Sequence, residues 1–168
     1  MTIKMGDSLP EGKLLECTEF DTETGCPMNP QVIDPAAIAK DKKIVLFGVP
    51  GAYTPTCSAK HLPGFIQAAQ LLKQKGVDEI WCLAVNDHFV MASWGRDQGV
   101  SGKVRMLADG SAEYTRALGL DRDLSANGMG VRCHRFAIIA DHGVVRYIGI
   151  EASGKFEVSN AEAILAAL

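Results

Sequence analysis

The chain has no long hydrophobic run. No stretch approaches the roughly 18 apolar residues that a membrane-spanning helix needs, and Met1 to Pro10, which carries Lys4 and Asp7, lacks the apolar core of a signal peptide. Insertion into a membrane and export are therefore not expected, and a cytoplasmic location is. The chain also lacks an excess of either charge: 17 Lys and Arg face 20 Asp and Glu, for a formal net charge of -3. The basic surface that nucleic acid or anionic lipid requires is missing, so neither is expected as a partner. There is no Cys-x-x-Cys, no His-x-x-x-His and no Cys/His cluster, which leaves no metal-site pattern and no dithiol of the usual exchange type. The five cysteines, Cys17, Cys26, Cys57, Cys82 and Cys133, are odd in number and irregularly spaced, which argues against a disulfide framework. Free thiols fit a reducing compartment, where a cysteine is kept for reactivity or for packing.

What is present is the composition of a globular protein, 47% apolar and 22% charged. With 168 residues the chain is read as one domain spanning 1–168. Residues 14–20 suggest a strand, and Thr22 to Pro30 a loop. Asp34-Pro35 provides an N-cap and a proline suited to the first helical position, opening a short helix that ends before Lys42. The β-branched run from Ile44 to Val49 predicts a strand covered on both faces. Apolar residues at helical spacing from Leu62 to Leu72 predict a helix closed by Gly76, with Pro63 kinking it near its start. Strands follow at 79–85 and 104–108, with helices from Asn86 or Asp87 to about Gln98 and near 112–118. Asp141-His142-Gly143 between two apolar runs predicts a hairpin. A helix at 159–167, capped by Ser159 or Asn160, ends the chain. Alternating strands and helices imply an α/β fold, a central mixed β-sheet with helices on both faces.

The segment from Val49 to Pro63 carries the chemistry. It leaves the C-terminal end of a buried strand and crosses a Pro/Gly loop into a helix, where open α/β sheets place their ligand sites. Cys57 falls in the first turn of that helix, where unsatisfied N–H groups favour a thiolate. An ordinary cysteine of pKa near 8.5 is only about 3% thiolate at pH 7, and bringing it to about 6 takes about 3.4 kcal/mol. A helix end supplies at most about 2 kcal/mol, so a nearby cation is required. Thr54, one turn earlier, puts its hydroxyl on the side of the sulfur, able to donate to it or to orient a reactant beside it. Pro50 and Pro55 stiffen the loop without adding donors. Spacing alone leaves open that Cys57 is simply a small buried hydrophobe.

Pro50, Thr54 and Cys57 match the Pro-x-x-x-Thr-x-x-Cys signature of the peroxiredoxins, and the string GVPGAYTPTCSAKHLPGF closely resembles their type II subfamily, the group around peroxiredoxin five. The resemblance runs on through EIWCLAVNDHFVMASWG, KVRMLADG and MGVRCHRFAII to the C-terminus. It implies a thioredoxin-like fold and a peroxidase in which Cys57 is the peroxidatic cysteine, Thr54 its hydroxyl partner and Pro50 a shield. The family's arginine falls on Arg132 within GVRCHRF, and Gly48 and Gly51 are expected to offer amide contacts to substrate.

Departures from the pattern carry expectations of their own. Tyr53 replaces the usual phenylalanine, and Cys133 stands where serine is usual. Val158 occupies the position of the resolving cysteine of vertebrate-like members, so that disulfide is excluded. Cys82, 25 residues after Cys57, has the spacing of the second cysteine of plant-like members and is a possible second redox cysteine, although its apolar setting favours burial. His61 is expected to pack and to hydrogen bond rather than to shuttle protons. The implied reaction is reduction of hydrogen peroxide and small alkyl hydroperoxides through a Cys57 sulfenic acid, recycled by glutathione and glutaredoxin or by thioredoxin, in a homodimer without cofactor or metal. The alternative is a redox sensor or holdase switched by oxidation of Cys57.

Overall fold

Apolar residues alternate sides along the central strands, and this alternation builds two cores on one sheet. The computed structural model describes residues Met1–Leu168. The chain opens with β1 (Leu14–Glu16), β2 (Glu19–Phe20), β3 (Pro27–Met28), β4 (Gln31–Ile33) and α1 (Pro35–Ala39). Next come β5 (Lys43–Gly48), a π-helical turn at Cys57–His61 continuing into α2 (Leu62–Gln74), β6 (Glu79–Ala84), α3 (His88–Gln98), β7 (Arg105–Ala108) and α4 (Glu113–Leu118). A ribbon of β8 (Asp121–Asp123) and β9 (Val131–Cys133) leads to β10 (Phe136–Asp141), β11 (Val144–Ile150) and α5 (Ala161–Ala167).

Seven strands form the central sheet in the order β11-β10-β5-β6-β7-β1-β4. The inner trio β5, β6 and β7 is parallel, and the flanking pairs are antiparallel. Val45 and Phe47 of β5 point to one face, where α2, α3 and α5 supply Leu62, Phe65, Trp94 and Ile164. Ile44 and Leu46 point to the other, against Ala39 of α1 and Tyr114 and Leu118 of α4. Helices thus cover both faces of a mixed sheet, the thioredoxin-like arrangement that the sequence implies. No helix is long and apolar enough to cross a membrane.

Caps and turns follow local chemistry. Asp34, Asp87 and Asn160 accept from Ala36, Val90 and Ala163 at the starts of α1, α3 and α5. His142 and Gly143 both take positive φ, 51° and 81°, in the two-residue turn of the β10–β11 hairpin. Two expectations need revision, and one ribbon is additional to them. The strand at 14–20 breaks into β1 and β2, and the supposed loop 22–30 contains β3, which pairs with β2. The β8–β9 ribbon was not foreseen because Asp121-Arg122-Asp123 lies at the surface and has no apolar face to bury.

Candidate active site

Beyond Gly48 the chain folds back over the end of the sheet and is pinned at several points. Val49 N–H donates to Leu83 O (3.0 Å) and Ala52 N–H to Asn86 Oδ1 (2.9 Å), so the loop is anchored to β6 and to the segment after it. Tyr53 holds φ at 61°, a conformation disfavoured outside glycine, while its hydroxyl donates to Asp97 at 2.7 Å. The helix starts at Pro55, and Trp94 Nε1–H donates to Ser58 Oγ at 3.0 Å. Together these contacts place Cys57, fully buried, at the C-terminal end of β5.

Pro63 explains the wide turn that carries Cys57. It has no N–H to give the Ala59 carbonyl, and its ring crowds that carbonyl. The chain responds with a π turn, in which Leu62 N–H reaches back five residues to Cys57 O. Where a kink was expected, the structure thus has one wide turn. Cys57 and His61 end up facing the same guanidinium.

That guanidinium belongs to Arg135 and not to Arg132. Arg135 Nη2 donates to Cys57 Sγ at 3.2 Å and Nη1 to His61 Nδ1 at 2.9 Å. Since His61 Nε2 lies 2.8 Å from the Ser159 carbonyl, which only accepts, the imidazole carries its proton on Nε2 and offers Nδ1 as a lone pair. Burial, with Arg135 adding to it, lowers the pKa of His61 to about 3, so the ring is neutral. It also packs against Phe47 (4.8 Å between ring centroids) and edge-on to Phe156 (5.0 Å). Ser159 is positioned in turn by Glu151, whose buried carboxylate accepts from the backbone N–H groups of Glu157, Val158 and Ser159 and from Ser159 Oγ. Burial opposes the charge on Glu151, but these donors outweigh it and keep its carboxyl below the usual range.

Arg132 does something else. It lies in β9, and its Nε donates to Met129 O (2.9 Å) and its Nη1 to Pro50 O (3.3 Å), tying the loop to the ribbon. The reason is position along the chain. Phe136 opens β10 opposite Gly48, the last residue of β5, so the residue just before Phe136 is the one at the mouth of the Cys57 loop. Of the two arginines in GVRCHRF, the second fills that place, and the pairing of the hairpin strand with β5 is the signal that separates them.

The remaining expected residues are placed as follows. Thr54 Oγ1 donates to Gly51 O at 2.7 Å, so its proton is committed and what it offers a reactant is a lone pair. Gly51 is closely approached by Arg132, and a Cβ there would come 2.7 Å from its Nη1, so the arginine would have to shift. Gly48 lies inside the sheet, where a Cβ would run into the Phe136 ring. It is a packing glycine rather than a substrate contact. Cys82 sits in mid-β6 beside Phe47 and Met106, and burial, reinforced by Cys57 and Cys133, pushes its thiol well up. Cys133 is also buried, with its thiol pushed up to about 12, and donates to Val49 O at 3.0 Å. All five cysteines are free, and the chain contains no group of side chains arranged to hold a metal.

Known proteins resemble the chain from end to end. The sequence model of the redoxin family matches residues 4–165. Peroxiredoxin-2B of Arabidopsis thaliana is 48% identical, over 99% of this chain and 98% of the relative. The crystal structure of reduced Prx3 from Vibrio vulnificus in complex with hydrogen peroxide superposes with a TM-score of 0.89 at 46% identity, covering 99% of each chain. A Burkholderia cenocepacia structure named as a thioredoxin reductase superposes with a TM-score of 0.94 at 51% identity, covering 100% of this chain and 99% of that one. With a helix-borne thiol, a guanidinium on its sulfur and full-length kinship to type II peroxiredoxins, the chain belongs to the redoxin family as a peroxiredoxin, a thiol-dependent peroxidase.

Proposed function

We propose that Cys57 is the peroxidatic residue and that Arg135, in place of Arg132, is the arginine that activates it. The thiolate attacks one oxygen of hydrogen peroxide or of a small alkyl hydroperoxide. An S–O bond forms as the O–O bond breaks, Cys57 becomes a sulfenic acid, and the departing oxygen takes up a proton to leave as water or alcohol. Charge moves from sulfur towards that oxygen during the step. A fixed guanidinium donating to the sulfur stabilises the charge as it shifts. Thr54 Oγ1 accepts from the peroxide O–H, and Pro50 shields the buried sulfur from bulk water. The observation that carries this reading is the 3.2 Å contact between Arg135 Nη2 and Cys57 Sγ.

Cys82 and Cys133, the buried thiols that interact with Cys57, are held neutral and are poorly suited to resolve the sulfenic acid. An external thiol, glutathione with glutaredoxin or thioredoxin, therefore completes the cycle in a reducing compartment such as the cytosol. Exposed Tyr53 and Phe89 support a homodimer formed near the active-site loop: Asp97, which holds Tyr53, lies two turns along α3 from Phe89 on the same face. Cys57→Ser is expected to abolish peroxide consumption with any supplied thiol. Retention of turnover in that variant would remove the assignment.

A further inference from the structure

Beside Arg135 the surface holds a groove that the peroxide step leaves unused. Pro50 and Thr56, on either side of the Cys57 loop, form one wall, and the segment after β11 forms the other. Its volume is about 230 Å³, more than two peroxide oxygens fill. Lys60, Arg122 and Lys155 line it together with Arg135, four cations from four separate parts of the chain. None of the four makes a salt bridge to a carboxylate, whereas Lys42 and Arg105 elsewhere are paired with Glu79 and Glu16. Glu151 is the one acid in the groove, and its oxygens are taken up by backbone N–H groups and by Ser159. A protein of net charge -3 has thus gathered unpaired positive charge next to its reactive sulfur. Phe156 adds an apolar floor and lies under the Arg135 guanidinium, 5.8 Å from its ring centroid.

A neutral hydroperoxide gains little from such charge, but a thiol bearing carboxylates is drawn to it and held. We propose that this groove selects the reductant, and that its ligand is a small thiol carrying carboxylate groups, with Lys60, Arg122 and Lys155 binding the carboxylates and Phe156 supporting the stem. The inference rests on the reading that an external thiol clears the sulfenic acid. In the step it serves, the incoming sulfur forms an S–S bond to Cys57 as the S–O bond breaks, and the hydroxide leaves as water with the thiol's proton. A second thiol of the same class then attacks the mixed disulfide, releasing the Cys57 thiol and a low-molecular-weight disulfide. Because Cys57 is fully buried, the turn that carries it must shift towards the groove for either attack.

The test compares glutathione with its diethyl ester, which has the same thiol but no carboxylates, as reductants for full-length protein at saturating hydrogen peroxide. The native protein is expected to use glutathione with a kcat/KM at least tenfold above that for the ester, with the preference shrinking as salt rises. The triple variant Lys60→Gln, Arg122→Gln, Lys155→Gln is expected to use the two alike. Lys60→Gln and Lys155→Gln alone, at exposed sites, give partial losses and guard against a folding defect in the triple variant. The proposal is overturned if native protein does not distinguish acid from ester, or if the triple variant keeps the preference. If neither thiol supports turnover while reduced thioredoxin does, the small-thiol reading itself fails, which is a different and recognisable result.

Discussion

Two arginines three positions apart have different tasks, and the difference is measurable. Arg135→Ala removes the one donor on Cys57 Sγ, and loss of a single donor at a charge-shifting centre costs about 10²–10³ in rate. The second-order rate of Cys57 oxidation, followed by stopped-flow fluorescence, is expected to fall by that factor. Arg132→Ala loosens a tether to Pro50 and Met129 and is expected to cost less than tenfold. The reverse ranking would restore the reading made from sequence. Cys57, Thr54 and Pro50 were legible at this scale because their signature is local, contained in eight consecutive residues. The arginine was not, since GVRCHRF holds two candidates and only strand pairing decides between them. His61 was legible as a packing residue, but the bond that fixes Arg135 depends on Ser159, 98 residues away.

At the scale of elements, the alternation of apolar runs with helical spacing made the sheet and its helices readable, while short polar strands such as β8 escaped because they bury nothing. The π turn at Cys57–His61 shows where an element rule pointed correctly without giving the geometry. A proline within the helix announced a distortion, and only the fold determines that it becomes a widened turn rather than a bend. Pro63→Ala returns an N–H to the Ala59 carbonyl and lets an ordinary α turn close, at a gain of up to roughly 3 kcal/mol for replacing an interior proline. Closing the turn changes the angle between Cys57 and His61 about the helix axis, which is expected to cost Arg135 one of its two contacts. The variant is therefore expected to raise the denaturant midpoint while slowing peroxide attack. A more stable variant with unchanged attack would show the wide turn to be incidental to catalysis.

For the molecule as a whole, the site is assembled from the end of β5, the mouth of β10 and the segment before α5, so folding and activation draw on the same contacts. Sequence distance hides this assembly, as nothing in residues 151–159 signals that Glu151 orders the carbonyl on which His61 depends. The coupling has a consequence for acid stability. His61 is held neutral in the folded chain down to about pH 3, whereas in the unfolded chain it takes up a proton near its ordinary 6.5. Between those values the unfolded state binds the extra proton, so stability is full above about pH 6.5 and declines as the pH falls towards 3. Glu79 and Glu151, with lowered pKa values, add their losses only in the more acidic carboxylate range. The unfolding midpoint is therefore expected to drop between pH 7 and pH 5 with His61 as a main cause. His61→Gln keeps an amide N–H for Ser159 and an oxygen for Arg135 but has nothing to protonate, so its midpoint should be nearly flat across that interval. A native slope retained in His61→Gln would assign the acid sensitivity to another group and loosen the link between the imidazole and the fold.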